Sequence, residues 1–274
     1  MYAICTPWSM SHVGLTIWQD LIYIVVNQMA ARSRQGDLFE NQGRGGKRTG
    51  AGRPRGPGRK RNWVRLRATL AKNVPVHVTL RVVKEVGGLR RRRAYKAIRR
   101  ALLTSFVRTD FRVVHMSIQR EHIHLICEAD DARALGLGMR GLEISAAKHL
   151  NAAVASDRGK TVPRRGTVFP ERYHVEQLRS PRQVRHAIAY VLNNWRRHRE
   201  DLAGFAQSRA AIDPYASGVR FDGWKRKGPF IPSEGYLPLQ TVYPQTWLLT
   251  VGWRMHGPID PREVPGPLVG GSKH

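Results

Sequence analysis

Two neighbouring apolar runs decide the fold: Phe111-Arg-Val-Val-His-Met-Ser-Ile-Gln119 and His122-Ile-His-Leu-Ile-Cys-Glu128. Only two residues separate them, so we predict a pair of strands joined by a tight turn. Residues i and i+2 of a strand point to the same face of a sheet. The imidazoles of His122 and His124 are therefore expected to project together, where they could hold one divalent cation.

A second motif lies on a predicted helix. Ser180 and Pro181 form a favourable N-cap and first-turn pair, and the helix is expected to run to about His198. Tyr190 and Asn194 are four residues apart, so they share one helical face. The phenol is a candidate nucleophile and the amide a candidate third metal ligand. Together with the histidine pair, they indicate cutting and rejoining of DNA by a tyrosine.

The remaining patterns extend these elements into a domain. We predict a first strand at residues 74–83, a basic helix at 89–107, a second helix at 132–155 and a fourth strand at 167–178. The second helix contains several glycines, and we expect a break near residues 136–141. The order β-α-β-β-α-β followed by a helix predicts an α+β fold, a ferredoxin-like (RRM-like) split βαβ sandwich with an antiparallel sheet.

The charge balance indicates a polyanionic partner. The chain has 274 residues with 47 Lys and Arg against 20 Asp and Glu, a formal net charge of +27. Such an excess opposes compaction unless a polyanion neutralises it, and nucleic acid is the natural candidate. The alternative is a generally basic soluble protein. The excess of Arg over Lys suits bidentate phosphate contacts.

Cysteine content and hydropathy restrict the protein class further. Cys5 and Cys127 form neither a disulfide framework nor a Cys-rich zinc site. Residues 13–30 are apolar, but Asp20 and several amides interrupt them, so we expect neither a membrane span nor a secretory signal. A cytoplasmic, nucleoid-associated protein is the resulting expectation.

Composition divides the chain into four predicted regions. Residues 1–40 are a leader that we expect to be unstructured, and the true start is possibly Met29. Residues 41–72 form a Gly/Arg/Pro-rich basic arm, residues 73–200 the catalytic domain, and residues 201–274 an irregular C-terminal extension. In this extension we expect a short helix anchored by Trp247, Leu248 and Trp253, and no chemistry.

The basic arm is the predicted duplex contact. Between residues 43 and 67 there are ten Lys or Arg and no acid, so this stretch is expected to be disordered when free. Its Gly-Arg-Pro segment resembles an AT-hook that reads a narrow minor groove, although a generic phosphate-binding tail is the alternative. The candidate DNA contacts are Lys47, Arg48, Arg53, Arg55, Arg59 and Lys60 in the arm, and Arg90, Arg91, Arg92 and Arg93 near the basic helix. For these last four the alternative is a solvated helix face.

Several motifs occur together in residues 110–199: Gln119-x-x-His-Ile-His-Leu-Ile-x-Glu128, Met139-x-Gly-Leu142, Asn151, Arg172-Tyr173-His174, and Tyr190-Val-Leu-Asn-Asn194 with His198. In this combination the chain resembles the IS200/IS605-like single-tyrosine transposases of the HUH superfamily, in particular the branch associated with repetitive extragenic palindromes (REP).

The resemblance implies a role for each residue of the two central motifs. His122 and His124 would be paired metal ligands, Tyr190 the nucleophile, and Asn194 the polar ligand at a position where the family often has Gln. The implied cofactor is Mg2+ or Mn2+, and the implied partners are single-stranded and hairpin DNA. The implied product is a 5′-phosphotyrosine with a free 3′-OH. The protein would act as a monomer or a homodimer, with no membrane partner.

Three rival functions fit parts of the sequence. A domesticated, catalytically silent protein that binds hairpin DNA is the main alternative. An RNA-binding protein is disfavoured because the predicted strands contain no aromatic RNP1-type run. A relaxase-like initiator of the same superfamily is disfavoured because Tyr190 is the only tyrosine on its predicted helix.

Overall fold

The computed structural model describes residues 69–202, 210–226, 228–264 and 266. The predicted leader and most of the predicted arm lie outside this part of the chain, and so do six of the candidate DNA contacts: Lys47, Arg48, Arg53, Arg55, Arg59 and Lys60. Among the described residues, no helix is both long enough and apolar enough to span a membrane.

A four-stranded antiparallel sheet forms the centre of the domain. Its strands are β1 (Val76–Arg81), β2 (Phe111–Ile118), β3 (His122–Ala129) and β4 (His174–Gln177). They lie in the order β2-β3-β1-β4, and every neighbouring pair is antiparallel. The predicted pairing of β2 with β3 is confirmed, and β4 is a short edge strand. Sheet and helices together make the α+β fold that the sequence predicts.

Four α-helices accompany the sheet in the described part of the chain: α1 (Arg92–Leu102), α2 (Ala132–Asp157), α3 (Pro181–Arg197) and α4 (Trp247–Thr250). Short 3-10 turns lie at Lys84–Val86, Leu103–Ser105, Glu200–Leu202, Ser217–Arg220 and Gly252–His256.

One face of the sheet is apolar and packs against α1 and α2. Alternate residues of β1 and β3 point into this core, among them Val78, Leu80, Ile123 and Leu125, and all four are buried. Full burial of such a side chain stabilises the fold by about 1.5–3 kcal/mol. The residues between them point to the opposite face, so the same strands supply both the core and a second, more polar surface.

The predicted break in α2 is wrong, because the helix runs unbroken from Ala132 to Asp157. One of its glycines has a packing role instead. A Cβ atom added at Gly138 would lie 2.2 Å from the ring of Phe111 on β2. Gly138 therefore allows the helix to approach the sheet closely enough for the Phe111 ring to be fully buried.

Helix α3 covers the opposite face of the sheet. Its predicted N-terminus is confirmed, since the Ser180 side chain accepts a hydrogen bond from the Gln183 backbone N–H and Pro181 occupies the first turn. The apolar side of α3 packs on Val114 and Ile126 of the sheet. Because the apolar side of α3 is held against the sheet, Tyr190 lies partly buried at the border of this packed cluster.

Part of the C-terminal extension packs on α3 and on the same sheet face, whereas residues 236–239 lie against α1. Trp253 is buried in this second core and Leu248 packs against it, as predicted, whereas Trp247 is 55% exposed and is not an anchor. The buried Glu128 carboxylate accepts hydrogen bonds from the backbone N–H of Thr246 at 2.8 Å and of Gln245 at 2.9 Å. These bonds hold the start of α4 against β3.

Candidate active site

The candidate site lies where α3 crosses the polar face of the sheet. The structure brings His122, His124 and Tyr190 together, as their strand and helix spacing predicts. The ring centroids of the two histidines are 4.7 Å apart, and the Tyr190 ring lies 5.2 Å from that of His124. Asn194 follows one turn later on α3 and is fully buried. The four predicted side chains thus come from β3 and α3 alone.

The neighbouring strand β1 contributes a histidine that the sequence analysis missed. His77 Nε2 lies 3.1 Å from His124 Nδ1, and the hydroxyl of Thr79 lies 3.2 Å from the same nitrogen. The His77 ring also meets the Tyr190 ring edge to face, with centroids 5.8 Å apart. A sequence signal was present, because the alternation Val76-His77-Val78-Thr79-Leu80 places both polar residues on the face opposite the core.

The site contains buried polar atoms whose bonding capacity is unused. Within the described part of the chain, His124 Nε2 and both amide atoms of Asn194 have no hydrogen-bond partner. Buried polar groups are nearly always paired, so such atoms need an explanation. An imidazole nitrogen and an amide oxygen are ligands that Mn2+ accepts, and Mg2+ takes the oxygen readily. The donor set of His122, His124 and Asn194 therefore fits a divalent cation.

This donor set depends on the asparagine. The described residues contain no cluster of three His, Cys, Asp or Glu side chains that could hold a metal ion by themselves. A cation at this place would thus need the Asn194 oxygen, together with water or phosphate oxygens, to complete its coordination.

Burial keeps the histidines of the site neutral. It lowers the pKa of His77 and of His122 to about 4, and it holds the pKa of His124 well below the ordinary value; nearby imidazoles add to each shift. The neutral imidazole is the form that binds a metal ion. At neutral pH these residues are ready to act as ligands without first losing a proton.

The phenol of Tyr190 is protonated at rest. Burial raises its pKa above the ordinary value of 10, and the Arg197 guanidinium, whose central carbon lies 5.9 Å from the ring centroid, opposes that shift. A phenol in this state can act as a nucleophile only if it loses its proton. His198 lies nearby at the exposed end of α3, with its ring 5.4 Å from that of His122.

The arginines before and within α1 have different environments. The side chain of Arg90 is 9% exposed: its guanidinium forms two hydrogen bonds with Asp213 at 2.8 and 2.9 Å, donates to the Ile118 carbonyl and lies over the Tyr215 ring. The bonding capacity of Arg90 is thus largely used within the fold, and its contact with DNA stays a prediction.

The other three arginines of this run are more accessible. Arg91 is half-buried and pairs with Asp157 at 2.8 Å. Arg92 and Arg93 are exposed, and Arg93 shares the same aspartate. Surface ion pairs of this kind contribute little to stability, so Arg92 and Arg93 are available to an anionic ligand. The Arg91 guanidinium is more engaged, because it also donates to the Gly88 and Val86 carbonyls at 2.7 and 2.9 Å. Arg91, Arg92 and Arg93 remain candidate DNA contacts.

Comparisons with known proteins do not identify a family for this chain. No family model and no curated protein matches this chain. One solved structure, of a REP-associated tyrosine transposase bound to a REP hairpin, is similar at a TM-score of 0.35 and 16% sequence identity. The match covers 48% of this chain and 73% of that one.

Proposed function

We propose that this chain is a metal-dependent transesterase of the HUH, REP-associated tyrosine transposase type. It cleaves and rejoins single-stranded DNA beside a hairpin through a 5′-phosphotyrosine on Tyr190. The observation that carries the proposal is the contact between the Tyr190 ring and His124, whose Nε2 has no partner among the described residues. The proposed nucleophile, Tyr190, and a nitrogen that could bind a metal ion, His124 Nε2, thus belong to neighbouring side chains in one partly buried site.

Within the same proposal, the fold is a ferredoxin-like split βαβ domain. The support is the strand order β2-β3-β1-β4 with all pairs antiparallel, and the succession β1-α1-β2-β3-α2-β4 along the chain. This topology places β3 in the interior of the sheet, so its paired histidines are held on a rigid element.

The chemistry follows from the residues present. A Mg2+ or Mn2+ ion held by His122, His124 and Asn194 would neutralise charge on a nonbridging phosphate oxygen. The Tyr190 oxygen attacks phosphorus, forming the Tyr–O–P bond, while the bond from phosphorus to the 3′ oxygen breaks. The phenolic proton leaves as this bond forms, and the departing oxygen takes up a proton to become a free 3′-OH. A second 3′-OH can reverse the step and join new ends.

Charge supports a DNA substrate. The chain has a formal net charge of +27, and Arg92 and Arg93 are exposed on α1. Electrostatic contacts of this kind bind the backbone without reading its sequence, and they weaken with salt. We therefore expect binding of single-stranded and hairpin DNA that weakens as salt is raised.

The test is a cleavage assay with labelled hairpin oligonucleotides taken from the flanks of the chain's own gene. The protein is incubated with Mn2+ or with EDTA, and products are separated on denaturing gels. A metal-dependent covalent adduct is expected for the wild type and for the control Tyr243→Phe, whose side chain is 93% exposed. The adduct should be absent in Tyr190→Phe.

Two results would count against the proposal. An adduct that survives in Tyr190→Phe would mean that another tyrosine, such as Tyr173, is the nucleophile. Salt-sensitive binding of the same hairpins without any adduct would favour the alternative, a catalytically silent hairpin-binding regulator.

The metal site is tested in the same assay. His124→Ala should abolish metal-dependent cleavage, because it removes a nitrogen that faces the proposed cation. His256→Ala is the matched control, since that histidine is exposed at the end of the Gly252–His256 turn. Undiminished cleavage by His124→Ala would remove the metal-site proposal.

A further inference from the structure

His77 is the buried histidine of the site that the proposed chemistry does not use. It lies on β1, where Thr79 is the residue that pairs directly with His124 of β3. His77 is 4% exposed, and its ring is stacked on that of His124 with centroids 5.1 Å apart and planes 20° apart. The contact is therefore specific in both distance and orientation.

The contact involves one defined pair of nitrogens. His77 Nε2 and His124 Nδ1 are 3.1 Å apart, which is hydrogen-bond distance. A neutral imidazole carries one N–H and one lone pair, so one ring must donate and the other accept. The direction of this hydrogen bond decides which nitrogen of His124 keeps its proton. It therefore decides whether His124 Nε2 presents a lone pair or an N–H.

One of the two arrangements suits a metal ligand. If His124 Nδ1–H donates to His77 Nε2, the unpartnered His124 Nε2 presents a lone pair. In the reverse arrangement the same buried atom would carry an N–H with no acceptor among the described residues. Metal-bound histidines usually donate their second N–H to a neighbouring acceptor, which fixes the tautomer and orients the ring.

His77 itself is not placed as a ligand. Its Nε2 is turned to His124, and the described residues contain no cluster of three His, Cys, Asp or Glu side chains that could hold a metal ion. His77 is therefore placed to affect a metal ion only through its contact with His124.

We propose that His77 is a positioning residue for the active site: it accepts a hydrogen bond from His124 Nδ1–H and thereby fixes the tautomer in which His124 Nε2 faces the metal. This inference rests on the proposed function, since it assigns a role relative to the same cation. It adds a residue outside the paired-histidine and tyrosine motifs. Thr79, 3.2 Å from the same nitrogen, is the competing acceptor.

The test has two readouts, neither of which is cleavage. Long-range 1H–15N NMR of histidine-labelled, metal-free protein reports the His124 tautomer, and the EPR signal of free Mn2+ reports metal affinity. The variants are His77→Phe, which keeps a ring but loses the acceptor, and His77→Gln, which restores an acceptor. His115→Phe is the matched control, a partly buried histidine in β2 that contacts Phe221 instead of the site.

The expected results separate the variants. Wild type and His115→Phe should show His124 protonated on Nδ1, whereas His77→Phe should lose that tautomer. Mn2+ binding should weaken about 10- to 100-fold in His77→Phe, the usual effect of removing such an acceptor, and His77→Gln should recover most of it. Thr79→Val should change affinity less than His77→Phe.

Failure of this inference is distinguishable from failure of the proposed function. If His124→Ala abolishes Mn2+ binding but His77→Phe leaves tautomer and affinity unchanged, the role of His77 is overturned and the metal site stands. The role of His77 is also overturned if Thr79→Val, and not His77→Phe, changes the His124 tautomer and weakens Mn2+ binding. If wild-type protein does not bind Mn2+, or binds it as His124→Ala does, the metal site of the proposed function fails and the inference fails with it.

Discussion

Two buried polar clusters in this domain use their bonding capacity in opposite ways. The Arg90 guanidinium and the fully buried Asp213 carboxylate satisfy one another, and Arg90 also donates to a backbone carbonyl. In the second cluster, His124 Nε2 and the Asn194 amide are equally buried but lack partners in the described part of the chain. The first cluster holds the C-terminal extension against the sheet. The second has the unused capacity that a ligand would satisfy.

The same contrast occurs between adjacent residues of α3. Asn193 and Asn194 are both buried, yet the Asn193 side chain donates to the Asp260 carbonyl at 2.9 Å while the side-chain amide of Asn194 has no hydrogen-bond partner among the described residues. Chemistry and burial are identical, so only the surroundings differ. A buried polar residue therefore indicates a site only when its partners have been counted.

The largest effect should come from breaking the satisfied cluster. Asp213→Ala removes both carboxylate hydrogen bonds of the Arg90 guanidinium and leaves only Glu200, 3.9 Å away, as its counter-charge, so we expect the free energy of unfolding to fall by about 3 kcal/mol. Urea unfolding measures this change. The double variant Arg90→Met/Asp213→Leu should recover most of the loss, because it removes both charges together. If Asp213→Ala is as stable as wild type, the Arg90–Asp213 ion pair does not stabilise the fold.

A smaller effect is expected from His115, a partly buried histidine outside both clusters. Burial lowers its pKa to about 4, against a partly opposing effect of Asp222. The unfolded chain, with a histidine pKa of about 6.5, then binds one more proton than the folded protein between these values. Stability from this residue is complete above about pH 6.5 and is lost as pH falls towards 4, by at most about 1.4 kcal/mol per pH unit.

His115→Gln should therefore flatten the fall in stability between pH 6.5 and 4.5, measured by urea unfolding at successive pH values. His256→Gln, at an exposed histidine, serves as the control and should leave the slope as in wild type. Equal slopes in all three proteins would mean that His115 does not become protonated on unfolding in this range.

The smallest effect on stability should come from the unsatisfied cluster. Asn194→Leu replaces an unpaired buried amide by an apolar side chain of similar size, so we expect stability to rise by about 1 kcal/mol while Mn2+ binding is lost. Asn193→Leu should instead lower stability by about 1 kcal/mol, because it removes the hydrogen bond to the Asp260 carbonyl, which then accepts only from the Glu263 backbone N–H. If Asn193→Leu and Asn194→Leu change the free energy of unfolding by the same amount, the different hydrogen bonding of the two asparagines does not affect stability.

Local patterns were sufficient to predict much of the site. The i, i+2 spacing of His122 and His124 and the i, i+4 spacing of Tyr190 and Asn194 are properties of a single strand and a single helix, and the structure joins the two. The N-terminus of α3 was also predictable, because Ser180 and Pro181 act on the backbone next to them.

What the sequence analysis missed depends on contacts between distant residues. His77 meets His124 through the register of β1 with β3, and Arg90 meets Asp213 across 123 residues of chain. The break expected in α2 was an error of the same kind, since Gly138 faces a phenylalanine from another element. No local pattern states which distant partner a residue will have.

The most direct test of the central proposal is to locate the covalent bond. Wild-type protein would be reacted with a hairpin oligonucleotide and Mn2+, digested with nuclease and trypsin, and examined by mass spectrometry. Cleavage after Arg185 and Arg196 releases residues 186–196, which contain one tyrosine. We predict that this peptide carries a nucleotide 5′-phosphate on Tyr190. A nucleotide on any other peptide, or none on a protein that binds the same hairpin, would contradict the proposal.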